Sequence, residues 1–192
     1  MSDLAKSIAR PDAAPGSPPV WLKPFEAGDR SAVFALLSDI PSLYPQGGEW
    51  LHRRLLDVAS GKARCTLAMS RWNPVGATIE SPKDRRRLKL STVYVHPSFR
   101  QRGVGSRLIA AACRQWQRDE LDEVCLTADI RRAAEVDLLL WKFGFRVTAI
   151  EAQRYGWSRD EVVFACRPGE QAGSDFGTSE LRERALCRAK AV

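Results

Sequence analysis

The chain has 192 residues, of which 44% are apolar and 28% charged, and a formal net charge of +7 at neutral pH. That length supports one domain with a sizeable core, and the balance of apolar to charged residues excludes a disordered or fibrous class. No apolar run approaches the roughly 20 residues that a membrane-spanning helix needs, and the start of the chain lacks the apolar stretch of a secretory signal, so a cytoplasmic protein without a membrane partner is expected. The five cysteines, Cys65, Cys113, Cys125, Cys166 and Cys187, are odd in number and widely spaced, with only His52 and His96 to complement them. Neither a disulfide framework nor a metal site is expected from such a set. The excess of positive charge suits an anionic partner.

Residues 1–19 and 169–192 are poor in side chains that could pack and read as flexible flanks of a folded unit over 20–168. The second flank can form a short helix from Ser179 with Leu181, Ala185 and Leu186 on one side. Within the unit, 20–25 predicts a strand. Asp29 is a good N-cap for a helix whose Val33, Leu36, Leu37 and Ile40 fall at i, i+3, i+4 and i+7. After the loop PSLYPQGG, a helix from about Glu49 carries Leu51, Leu55 and Val58 on one stripe and ends at Gly61. Runs 63–71, 75–81 and 87–96, separated by short turns, predict an antiparallel meander. A helix over 103–118 with Val104, Leu108, Ala112 and Trp116 at successive turns leads to a strand over 124–129, a unit that demands parallel pairing and a right-handed crossover. A helix over about 132–143, burying Val136, Leu139, Leu140 and Phe143, and strands over 145–153 and 161–166 complete the order.

The most informative stretch is 90–116, LSTVYVHPSFRQRGVGSRLIAAACRQW. Pro97 stops a strand, and the loop Arg100-Gln101-Arg102-Gly103-Val104-Gly105 opens directly into a helix. Gly103 and Gly105 allow close approach of a ligand to the backbone, and the first-turn N–H groups of the helix have no acceptor within it. Arg100 and Arg102 add positive charge for phosphate oxygens. The combination predicts a diphosphate cradle. It is neither a Rossmann fingerprint, because Leu108 stands at the third glycine position, nor a Walker loop, because G-K-[ST] is missing.

RQRGVG resembles the R/Q-x-x-G-x-G/A signature of the GNAT superfamily of acyl-CoA N-acyltransferases, on the strand, loop and helix where that family carries it. The resemblance implies an α/β (α+β) fold: a mixed, mostly antiparallel sheet of about seven strands with a splayed parallel pair and about four flanking helices, over residues 20–168. It implies acetyl-CoA as cosubstrate. Arg100, Gln101, Arg102, Gly103, Val104, Gly105 and Ser106 would bind its pyrophosphate, and Val93 and Val95 its pantetheine amides, with the thioester in the splay. LLLWKFGF, 138–145, resembles the family's L-Y-x-x-x-G-F, whose tyrosine commonly protonates the departing thiolate. Read with Trp141 in the tyrosine's place, and Ala134 where the family often has asparagine, the usual acid is missing, because an indole N–H is no acid near neutral pH.

Glu80 and Asp129, near strand ends, are the candidate bases acting through water, and Tyr155, between the last two strands, is the candidate replacement acid. Tyr44 is expected to line the acceptor pocket, Tyr94 to pack, and His96 to serve turn packing or a phosphate contact. The run Lys83-Asp84-Arg85-Arg86-Arg87 predicts a solvated hairpin tip, with contact to a nucleic acid such as tRNA as its functional alternative. The expected activity is acetyl transfer to a primary amine of unspecified class, by a monomer or homodimer without a metal. A noncatalytic CoA-binding sensor is the competing reading.

Overall fold

The computed structural model describes residues 18–43, 46–153, 159–170 and 179–190. In chain order the strands are β1 (Val20–Pro24), β2 (Arg64–Ser70), β3 (Asn73–Pro82), β4 (Arg87–Val95), β5 (Glu123–Asp129), β6 (Arg146–Glu151) and β7 (Glu161–Cys166). They form one sheet in the order β1-β2-β3-β4-β5-β7-β6. Every neighbouring pair is antiparallel except β4 and β5. The helices are α1 (Arg30–Leu36), α2 (Ile40–Leu43), α3 (Gly47–Ala59), α4 (Val104–Arg118), α5 (Ala133–Leu140) and α6 (Ser179–Lys190). The expected mixed α/β architecture with a parallel pair is present. No helix among the described residues is long and apolar enough to cross a membrane.

Two apolar layers hold the sheet from opposite faces. On one face Val33, Leu36 and Leu37 of α1 and its end, and Leu51, Leu55 and Val58 of α3, pack on Cys65, Leu67, Ala77 and Ile79 of β2 and β3. On the other, Ile109, Ala112 and Trp116 of α4 and Leu140 of α5 pack on Leu88, Leu90, Val124, Leu126, Val162 and Phe164. The helical stripes read from the sequence are these buried faces, as amphipathic periodicity requires. Gly76 lets α4 lie close to β3, because a Cβ there would stand 3.0 Å from the Tyr94 carbonyl oxygen and 3.2 Å from Leu108.

Several boundaries differ from expectation for local reasons. Asp29 does not cap α1. Its Oδ2 accepts instead from the backbone N–H of Glu26 at 2.8 Å and pairs with Lys23 at 2.9 Å, which fixes a single 3-10 turn ahead of the helix. The first helix stops at Leu36, and Ile40 opens the short α2 inside the stretch expected to be loop. Helix α3 begins at Gly47, behind Gln46 at φ 59°. The helix expected over 132–143 is shorter: α5 ends at Leu140, a 3-10 turn follows over Trp141–Phe143, and Gly144 at φ 84° closes it. Val136, Leu139 and Phe143 are only half-buried, whereas Asp137 on the same helix is 3% exposed.

Helix α6 is docked, so the packed unit extends beyond residue 168. Ala185 is fully buried in the α5 layer with Leu181 against it, and Arg182 reaches Asp137 with contacts of 2.8 and 3.1 Å.

Candidate active site

Strands β4 and β5 pair only at their beginnings, Arg87–Lys89 against Glu123–Cys125. Beyond that point the strands diverge, and among the described residues the side of β4 turned away from β3 has no strand partner from Leu90 onward. The cause is local. Between Ile79↔Thr92 and Glu80↔Leu90 the β3–β4 register slips by one residue, leaving Ser91 as a bulge in β4. A bulge bends its strand and reverses the phase of alternation. Leu88 and Leu90 therefore face α4 before it, and Val93 and Val95 face α4 after it. Tyr94 turns to the α1–α3 face, where its hydroxyl donates to Asp39 Oδ2 at 3.4 Å and burial raises its pKa.

At the open end of this divergence the chain enters the loop before α4. His96 serves the turn: its Nδ1 accepts from the Ser98 N–H at 3.3 Å and its ring stands edge-on to Phe99. Gln101 and Gly103 both adopt left-handed conformations, φ 58° and 74°. Gly103 is the N-cap of α4 and has no side chain to bond the first-turn N–H groups. Those of Val104, Gly105 and Ser106 have no acceptor within the helix, and they lie at the positive, N-terminal end of the helix dipole. The side chain of Val104 is 2% exposed and belongs to the core, so only its backbone can serve a ligand. Arg100 folds back, its Nε donating to the Val95 carbonyl at 3.0 Å, and Arg102 lies over Phe99 at 5.5 Å.

Lys142, which the sequence reading did not single out, brings its ammonium to the same place, donating to Ser106 Oγ at 2.8 Å. Its signal was available in principle, because it lies two residues before Gly144 in the stretch that matched the family's second motif. That motif also needs a correction. Counted back from Gly144-Phe145, its tyrosine spacing falls on Leu140, not Trp141. Leu140 is 1% exposed within the core. The Trp141 ring is held between two guanidinium groups, Arg146 at 3.6 Å and Arg182 at 4.0 Å from its centroid, a cation–π sandwich. Neither side chain can give a proton to a thiolate.

The candidate carboxylates are not brought together. Glu80 points to the α4 face and is 3% exposed. It accepts from Trp116 Nε1 at 3.2 Å and pairs with Arg64 at 2.9 Å, and Arg64 also binds Asp119. Burial pushes its pKa up against the pull of Arg64. These contacts lie at the C-terminal end of α4, about 20 Å from Gly103 at 1.5 Å per residue. Replacing Glu80 with alanine strands the Trp116 N–H in the core, and urea denaturation is expected to show a loss of about 2 kcal/mol.

Asp129 lies on the other face, at the diverging end of β5. Its carboxylate accepts from the backbone and side chain of Arg131, at 2.9 and 2.5 Å, and pairs with Arg159 at 3.4 Å. Hydrogen bonds from Arg131 hold its pKa below the usual carboxylate range. In the ladder Asp129 stands opposite Glu161, and Glu161 opposite Glu151. Glu161 was absent from the sequence reading, since its position looked like the first residue of a last strand. Tyr155 and Tyr44 lie outside the described residues. The basic hairpin is partly neutralised: Arg86 pairs with Asp122 at 2.8 Å and Arg87 with Asp84 at 2.6 Å.

Residues 61–147 match the family model described as an acetyltransferase (GNAT) domain. Among solved structures, a GNAT family acetyltransferase from Elizabethkingia anophelis with acetyl-CoA bound superposes with a TM-score of 0.62 at 16% identity, over 77% of this chain and 97% of that one. Ard1 from Thermoplasma volcanium gives 0.63 at 21% identity, over 79% and 99%. The IAA acetyltransferase from Bacillus cereus gives 0.61 at 12% identity, over 78% and 99%. No curated protein matches the chain significantly. At these identities the superpositions establish the fold, and residues 61–147, which span the bulged strand, the left-handed loop, the uncapped helix and the turn at Gly144, are the stretch that matches the GNAT acetyltransferase domain.

Proposed function

We propose that the protein transfers an acetyl group from acetyl-CoA to a primary amine by direct attack within a ternary complex. The observation that carries this reading is the divergence of β4 from β5 beside the bare N-terminus of α4. A diphosphate fits the first-turn N–H groups of Val104, Gly105 and Ser106 with the Lys142 ammonium alongside, and an amide-bearing arm fits the unpaired side of β4 at Val93 and Val95. Bound there, the cosubstrate supplies an activated thioester. The chain's own residues orient it and leave the gap between β4 and β5 for the amine. Backbone N–H groups of β4 past the bulge are the donors available to a developing oxyanion. Proximity and this stabilisation carry the rate, because a thiolate departs without strong assistance.

Glu80 takes a packing role in this proposal. Glu80→Gln, which keeps an acceptor for Trp116, is expected to leave turnover within about threefold, far less than the 10²–10⁴-fold loss of a general base. The noncatalytic sensor has one observation in its favour, the lack of an acidic side chain at 140 and 141. The nucleic-acid reading rests on the hairpin alone, and two of its arginines are already paired.

Calorimetry with acetyl-CoA, followed by thiol release over a panel of amines, tests the proposal. Binding with turnover supports it, and binding without turnover on any amine supports the sensor. Lys142→Ala removes one charge-assisted contact and is expected to weaken acetyl-CoA binding about tenfold, with thermal stability unchanged.

A further inference from the structure

Helices α1–α3 cover β2 and β3, and the same face continues over β5, β7 and β6 with a cavity of about 310 Å³ lined by Lys83, Lys89, Thr127, Thr148, Glu151 and Val163, among others. Immediately beyond Thr127 and Val163 along their strands lie Asp129 and Glu161, and Glu151 is itself in the wall. Because directly paired residues share a face, Asp129, Glu161 and Glu151 form one row of three carboxylates across three strands, in register. The row crosses the sheet at the end of β5 that lies beyond its pairing with β4.

Within the row the groups differ in kind. Asp129 is engaged by Arg131 and Arg159. Glu161 is completely buried. Its Oε1 accepts from Arg159 Nε at 2.9 Å, while its Oε2 is buried without a hydrogen-bond partner among the described residues. A carboxylate oxygen left bare in a protein interior costs free energy unless something supplies a donor. An alkylammonium ion carries such donors together with a charge that complements the carboxylate row.

We propose that this carboxylate row is the acceptor subsite, that it admits alkylammonium ions, and that Glu161 takes the proton that converts the ammonium to a nucleophilic amine. The inference rests on the acetyl-transfer reading above. An amine arriving as R–NH₃⁺ gives one proton to Glu161 Oε2. The neutral nitrogen forms its bond to the thioester carbonyl carbon, the carbon–sulfur bond breaks, and the second proton goes to the departing thiolate. Glu161 then releases its proton to solvent. Asp129 is a positioning residue that holds Arg159. Burial, which raises the Glu161 pKa against the pull of Arg159, makes it a stronger base than Asp129. The charged groups that act on it are Arg159 ahead of β7, Asp129 at the β5 end and Lys89 from β4, with Glu151 of β6 opposite it in the ladder.

The test uses the full chain with acetyl-CoA and two probes: cadaverine, an ammonium at neutral pH, and p-anisidine, an arylamine already neutral. Cadaverine is expected to give the higher kcat/KM, with an acid limb above the ordinary carboxylate range. Glu161→Gln is expected to lower kcat/KM for cadaverine about 100-fold, to leave p-anisidine within about threefold, and to leave acetyl-CoA affinity unchanged. Glu161→Asp should restore part of the loss. A merely structural Glu161 predicts equal losses for both amines. Glu151→Gln, at the cavity wall, is the second variant and should raise KM for cadaverine about fivefold. If neither amine is acetylated, calorimetry of cadaverine against the CoA complex decides: binding weakened by Glu161→Gln supports the subsite, and no binding overturns it. Equal effects on both amines, or preference for p-anisidine, overturn the inference with acetyl-CoA binding intact. Loss of acetyl-CoA binding in the wild-type chain overturns the acetyl-transfer reading itself.

Discussion

Glutamate in place of Gly103 is expected to weaken acetyl-CoA binding by at least about 100-fold, the largest effect of any single substitution in the cofactor loop. Two costs combine. The φ of 74° at this position is a left-handed conformation that costs an L-residue about 1–2 kcal/mol. A carboxylate at the N-cap of α4 then competes for the first-turn N–H groups and repels a diphosphate, and each further 1.4 kcal/mol or so is another tenfold. Space is not the problem, since nothing lies within 4 Å of a Cβ at Gly103. Gly105→Ala is the informative contrast. A Cβ there would meet Leu139 at 3.5 Å and Val95 at 3.7 Å, ordinary contact distances, so the fold tolerates it. Any change in affinity at 105 then reports how closely the ligand approaches. Calorimetry on both variants, with circular dichroism to verify folding, checks the pair, and unchanged affinity in Gly103→Glu would falsify the cradle.

Arg182→Ala is expected to be the most destabilising single change on the surface of the protein. Asp137 is 3% exposed and receives Arg182 through both carboxylate oxygens. Removing the guanidinium leaves a carboxylate in the core and uncovers one face of Trp141. Breaking such a pair costs about 3–5 kcal/mol when fully buried, and Arg182, at 36% side-chain exposure, places the expectation near the lower end, about 3 kcal/mol. For a chain of this size that corresponds to a melting point lowered by roughly 6–12 °C. The double variant Asp137→Leu/Arg182→Leu should recover most of the loss, because an apolar pair of similar volume has no charge to desolvate. Thermal denaturation of the two variants is the measurement. An unchanged melting point in Arg182→Ala would mean that α6 does not hold its dock in solution.

The two predictions bear on one another through a short chain of contacts. Arg182 stacks on Trp141, the 3-10 turn carries Lys142, and Lys142 reaches Ser106 in the first turn of α4. Loss of α6 is thus expected to reach the cofactor loop through the turn at 141–143.

The strand and helix periods along 20–166 were legible because burial against a single sheet imposes them residue by residue: Leu51, Leu55 and Val58, or Val104, Leu108, Ala112 and Trp116, are buried where their spacing predicts. The glycine pair, the arginines and the helix start at 103 were legible for the same reason, since a turn that needs left-handed φ and bare N–H groups restricts residue type locally. Asp29 and Glu80 show the limit. Each is a residue type suited to the role first read from it, and each is engaged elsewhere: Asp29 by Lys23 and the Glu26 N–H, Glu80 by Arg64 and Trp116.

By itself, the sequence determined the order of the strands, the position of the glycine loop before α4 and the resemblance to the GNAT acetyltransferases, because these follow from short-range spacing and side-chain chemistry. Only the tertiary structure decided which face each strand residue serves, since a one-residue bulge at Ser91 exchanges the two faces of β4 and leaves no mark in the pattern. It also decided that Asp129, Glu161 and Glu151 stand in one row, that Lys142 meets Ser106, and that Arg182 closes over Trp141. Each of these joins residues far apart in the chain, and their partners are set by strand register and helix docking, which no local stretch of sequence encodes.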